Sequence, residues 1–165
     1  MTLPAFQYPV IGIGRRMSFG VIEGEELREF RDEKAMRTCD GRALDHDDLV
    51  GMRLVDGTGR SWRIRGVERL RLSGSLLSRV IAFLCRDQWY DIELDVVEAE
   101  PFSFDELKAH ICKLIDDHPE DYNNIDSIVG EPDPPKTEQE LLERRKALVR
   151  KAKDIAEIMD EMDEF

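Results

Sequence analysis

Between Val50 and Glu98, apolar and polar residues alternate with period two over longer runs than anywhere else in the chain. Val50, Met52 and Leu54 share one parity, and after the four-residue stretch Asp56-Gly57-Thr58-Gly59 the even positions Trp62 and Ile64 resume it. Two alternating runs joined by a Gly-rich connection predict a β-hairpin, because Gly takes the positive φ of a tight turn at no steric cost. Past Gly66, a candidate bulge, Leu70 and Leu72 alternate with Arg69 and Arg71. Val80 to Cys85 is almost wholly apolar, and Tyr90, Ile92, Leu94 and Val96 then alternate with Asp91, Glu93 and Asp95. The pattern predicts four strands in an antiparallel meander, one face buried and one wet, with the third strand covered on both sides. Trp62, Ile64, Leu70 and Leu72 are expected to point inward, and Arg63, Arg65, Arg69 and Arg71 outward.

Helical spacing flanks this stretch. Leu27, Phe30, Ala35 and Met36, with acids at the start, predict an amphipathic helix over residues 25 to 37. Ser103 and Glu106 form a capping box, with Phe102 at the staple position against Leu107, and open a helix over 103 to 117. Leu107, His110, Ile111, Leu114 and Ile115 make its apolar stripe, and Pro119 ends it. Thr137 and Glu140 open a further helix running to about Asp163, with Leu141, Leu148, Ile155 and Met162 recurring every seven residues. Before the meander, residues 1 to 22 predict one or two short strands, the first at an edge because Pro9 lacks a ladder donor.

The fold class that follows is α+β: an antiparallel meander of about four or more strands, amphipathic helices on one face, and a C-terminal helix. Residues 1–130 are expected to form the domain, 131–136 (EPDPPK) an extended spacer, and 137–165 a helix packed on the domain or on a partner subunit, which leaves room for a homodimer. At 165 residues with 41% hydrophobic side chains the chain can bury a modest core. It has no run of 18 apolar residues to span a bilayer and no signal-peptide pattern. Three cysteines, odd in number and without CxxC spacing, predict free thiols in the reducing cytoplasm.

Charge is unevenly spread. The chain carries −12, yet residues 53 to 86 hold eight arginines against two acids, a local +6 that leaves −18 elsewhere. An overall negative field disfavours generic binding to DNA, whose affinity rests on phosphate contacts.

Candidate chemistry is sparse. Gly12-Ile13-Gly14 suggests a phosphate loop, but Met17 breaks GxGxxG and no Lys-Ser or Lys-Thr follows, so a strand connection is the better reading. Asp45-His46-Asp47-Asp48 begins like a calcium loop but lacks its later ligands, and reads as a turn or helix cap. His46, His110 and His118 stand in no catalytic motif, and Cys85 reads as a small buried hydrophobe. No catalytic residue, cofactor or metal is assigned.

In size, acidity and lack of catalytic signatures the chain resembles, at the level of class, the small bacterial immunity proteins that neutralise toxins. No motif carries that resemblance, so no residue role comes with it. The expected function is non-catalytic binding of a basic protein partner through the acids Asp45, Asp47, Asp48, Asp116, Asp117 and Asp121, with Arg63, Arg65, Arg69 and Arg71 contributing to the contact. The alternatives are a small enzyme with a His/carboxylate site and RNA or phosphate binding by the arginine-bearing sheet face. A simpler role for those arginines is pairing with the acidic helices.

Overall fold

The computed structural model describes residues 3–18, 21–41, 44, 48–73, 88–122, 135 and 137–163. It divides into two compact units, 1–101 and 102–165. Together they give an α+β fold: antiparallel strands in the first unit, helices in the second, the last of them C-terminal.

The first unit is a six-stranded curled antiparallel sheet: β1 (Val10–Ser18), β2 (Val21–Phe30), β3 (Thr38–Asp40), β4 (Arg53–Asp56), β5 (Ser61–Leu72) and β6 (Trp89–Ala99), in the order β2-β1-β4-β5-β6-β3. The expected hairpin is β4–β5. Its turn is organised by the buried Asp56, whose Oδ1 accepts from the Thr58 amide at 2.9 Å and the Arg60 amide at 3.2 Å, while Gly59 takes φ 81°. Met52, Leu54, Trp62, Ile64, Ile92 and Leu94 form the core with Val10, Phe30, Met36 and Cys39. The apolar run Val80–Cys85 lies outside the described residues, and β5 pairs directly with β6.

Three expectations about the sheet are corrected here. Residues 25–30, expected to start a helix, belong instead to β2, which pairs with β1 from Val10↔Phe30 to Ser18↔Val21. Leu27 and Phe30 suit either period locally, but β1 offers a backbone ladder along the length of the strand. Helix survives only as α1 (Glu33–Met36), capped by Asp32, whose Oδ1 accepts from the Ala35 amide at 2.7 Å. Second, β1 is an interior strand between β2 and β4; Pro9 precedes it, so its missing donor costs the ladder nothing. Gly12 and Gly14 lie within β1 because Met52 packs over them: a Cβ on Gly12 would meet Met52 Sδ at 2.6 Å, and one on Gly14 would meet Met52 Cε at 2.6 Å.

The third correction concerns Leu70, which is 54% exposed. The β5–β6 register slips between Ile64 and Gly66 and again between Arg69 and Arg71. The first irregularity shifts the parity, so Val67 and Arg69 face Leu94 and Ile92; the second restores it, with Leu72 opposite Tyr90. Leu70 sits at the second slip and is left outside.

The second unit contains α2 (Phe104–Asp117), a 3-10 turn (Pro119–Asp121), α3 (Glu138–Lys151) and α4 (Ile155–Asp163). The Ser103 capping box forms in both directions, at 3.2 Å and 2.9 Å, and Thr137 caps α3 at 3.1 Å. The single helix expected over 137–163 is broken at Ala152, which adopts ψ 139°. A new cap follows at once: Asp154 Oδ1 accepts from the Glu157 amide at 2.9 Å, and Glu157 Oε2 accepts from the Lys153 amide at 2.7 Å. Leu141, Val149, Ala152, Ile155, Ile158 and Met159 are all buried.

Candidate functional site

The arginine-bearing face arises from the register of β5 on β6. Arg63 is exposed opposite Val97, and Arg65, at the first slip, holds Asp95 with Nη2 3.0 Å from Oδ2. Arg71 stands opposite Asp91, Nε to Oδ2 2.8 Å. Arg60 lies 3.8 Å from Glu98 and Arg53 donates to the Glu100 carbonyl at 2.6 Å. Arg69 does not join them: the register shift carries it to the side of Ile92, where its guanidinium covers the Tyr90 ring at 4.3 Å. The acids that balance Arg65 and Arg71 come from the neighbouring strand. Their alternation in β6 is visible in the sequence, and only the β5–β6 register shows which arginine each one meets.

The acidic residues fall into two groups. Asp45 and Asp47 lie outside the described residues, and Asp48 opens the turn that leads through Gly51, at φ 88°, into β4. Asp116 and Asp117 end α2, and Asp121 closes the 3-10 turn after it. No basic residue occupies the last turn of α2. Carboxylates at that position add to the negative end of the helix dipole, at a cost of roughly 0.3–1 kcal/mol each at the surface.

One acid of this group also holds the helices together. Lys146 on α3 is 6% exposed, and its Nζ lies 2.6 Å from both Asp116 Oδ1 and Glu143 Oε1. These two hydrogen bonds raise its pKa. Arg145 beside it is 3% exposed, and burial lowers its pKa to about 10. Arg145 stands three residues before Leu148 of the seven-residue apolar repeat, and its charge disguises its burial in the sequence.

Comparison with family models, curated proteins and solved structures returns no match. The reading of the surface therefore rests on the side chains themselves. His110 on α2 meets the ring of Phe102 edge-on at 6.1 Å. His118 Nδ1 lies 3.6 Å from Glu120 Oε1, a local contact across the 3-10 turn. Cys39 and Cys112 are buried and reduced, and burial is the main cause that pushes both thiols up in pKa, away from nucleophile behaviour. Among the described residues, no group of three His, Cys, Asp or Glu side chains gathers to hold a metal ion, and no helix is long and apolar enough to cross a membrane.

Proposed function

We propose that this chain is a non-catalytic protein-binding module, of immunity or inhibitor type, whose acidic helical unit engages a basic protein partner. The observation that carries the reading is the segregation of charge between the two units. Residues 102–165 hold 18 acids against 9 bases, a net −9, whereas residues 1–101 hold 18 against 15, a net −3. On the sheet, Arg65 and Arg71 already have carboxylates at hydrogen-bonding distance. RNA or phosphate would have to displace them, which weakens that alternative. On the helical unit, Asp117 and Glu120 sit exposed where a helix end adds to their negative potential. Asp116 and Asp121, in the same unit, belong to the proposed acidic contact; Asp45, Asp47 and Asp48 fall in the other unit and are a separate candidate contact.

The test is capture from native lysate with the full chain as bait. Contacts of this kind should release a partner between 0.1 M and 1 M salt, where the screening length falls from about 10 Å to about 3 Å. Asp117→Asn combined with Glu120→Gln should weaken capture several-fold, whereas Lys34→Ala, at an exposed position outside the contact set, should leave it unchanged. Capture indifferent to salt, or no partner at all, overturns the proposal. RNA retained by the chain and lost on Arg65→Glu would favour the nucleic-acid alternative.

A further inference from the structure

β2 ends the strand order of the sheet, and among the described residues no strand pairs with it on the side away from β1. It is ten residues long, an extended edge by the standard of natural sheets. Its inner support is also limited. β1 pairs with β4 only over Val10–Ile13, while its pairing with β2 runs on to Ser18↔Val21. Beyond Ile13, among the described residues, the two strands pair only with each other, and a two-stranded arrangement is marginal in water by itself. An edge strand of this length gains backbone hydrogen bonds by accepting another strand.

We propose that the occupant is a second copy of this chain, joined antiparallel through β2 with Leu27 of each copy opposite Leu27 of the other. A two-fold axis normal to a continuous sheet keeps equivalent residues on the same face, so the pairing must be centred on one residue. Centring on Glu25 or on Glu26 sets two glutamates against each other on the axis, and centring on Arg28 does the same with two guanidinium groups. Centring on Leu27 uses Gly24–Phe30, all within β2. It places Glu26 opposite Arg28 twice and Gly24 opposite Phe30 twice. Within one copy Arg28 Nη2 already donates to Glu26 Oε1 at 3.4 Å. The second copy extends that contact into an alternating ladder of four charges, and opposite charges facing across strands stabilise a sheet. The register also sets Glu25 opposite Glu29. Arg15 stands across β1 from Glu25, and Arg31 Nε lies 3.6 Å from Glu29 Oε2, which blunts that repulsion.

This inference stands apart from the acidic helical contact and uses a different unit. Its test is the mass in solution of the full chain, by sedimentation or light scattering, from micromolar to near-millimolar concentration. The mass should rise from 19.1 kDa toward twice that value. Glu26→Arg alone and Arg28→Glu alone should each remain monomeric, since each sets like charges face to face. An equimolar mixture of the two variants should dimerise again, because the two arginines of one then meet the two glutamates of the other. A monomeric unaltered chain, a dimer retained in both single variants, or a mixture that stays monomeric overturns the proposal. Should either variant fail to fold by circular dichroism, hydrogen exchange on the unaltered chain decides. Amides of Gly24–Phe30 must slow with rising concentration while those of β3 do not, and exchange independent of concentration refutes the contact.

Discussion

Lys146 Nζ and Asp116 Oδ1 are 2.6 Å apart, joining α3 to the last turn of α2 with a lysine that is 6% exposed and a carboxylate facing solvent. Asp116 is therefore part of the helical scaffold as well as of the acidic surface. Replacing it by Asn leaves Glu143 on the ammonium group and should lower stability by about 1 kcal/mol. Removing both carboxylates, with Asp116→Asn and Glu143→Gln, takes both charged acceptors from the ammonium group and should cost about 1–2 kcal/mol, since both carboxylates are more than half exposed. Urea unfolding measures both, and a double variant no worse than the single one would show that Lys146 escapes to water. The raised pKa of Lys146 implies stability that is fully present below the ordinary lysine pKa and lost as pH rises through its higher folded value.

Arg145 provides the opposite case. Burial lowers its pKa to about 10, so the folded state disfavours the charge that the unfolded chain accepts freely. That penalty holds at neutral pH and is relieved as pH climbs through 10 toward the ordinary arginine value. Arg145→Met keeps the length and removes the charge, and should raise stability by roughly 1 kcal/mol or more. A lower melting temperature for this variant would show that the guanidinium contributes bonding that outweighs its desolvation.

The two slips in β5 separate residues that share a parity in the sequence. Ile64 is 1% exposed and Leu70 54%. Ile64→Ala should cost about 2–5 kcal/mol, whereas Leu70→Lys should stay within about 0.5 kcal/mol. Denaturant midpoints for the two variants check this directly, and a large loss at Leu70 would mean that the register has only one slip.

Gly12 is held to its size by Met52 and Phe30, whose side-chain atoms would lie 2.6 Å and 2.9 Å from an added Cβ. Gly12→Ala should destabilise by about 1–3 kcal/mol through overpacking. Shortening Met52 to Ala is itself costly, but in that background the added penalty of Gly12→Ala should shrink. A double-mutant cycle reads the coupling, and strictly additive losses would argue against the contact.

Cys39 and Cys112 should react slowly with a thiol reagent at neutral pH in the native state and rapidly after unfolding, as peptide mapping of the labelled chain would show. Their raised pKa values mean that the folded state keeps protons the unfolded chain gives up. This contribution is fully present below the ordinary thiol pKa of about 8.5 and is lost as pH rises from there through the higher folded values. Labelling at equal rates before and after unfolding would place the thiols at the surface.

Much of the architecture is legible in local chemistry. Asp56-Gly57-Thr58-Gly59 marks its turn because Asp and Gly satisfy turn geometry within four residues, and Ser103 with Glu106 marks a helix start for the same reason of short reach. The Asp154-to-Glu157 cap was equally local and was masked by the apolar repeat that runs through it. For the charged surfaces, the sequence by itself determined the composition of each stretch and the parity of Arg63, Arg65 and Asp95. Tertiary structure alone decided whether 25–30 is strand or helix, which side Arg69 takes, and that Arg145 and Lys146 are buried. Each of these depends on a partner distant in the chain. A strand takes its backbone bonds from whichever segment lies beside it, and a bulge is defined only against that neighbour, so no local pattern can encode either one.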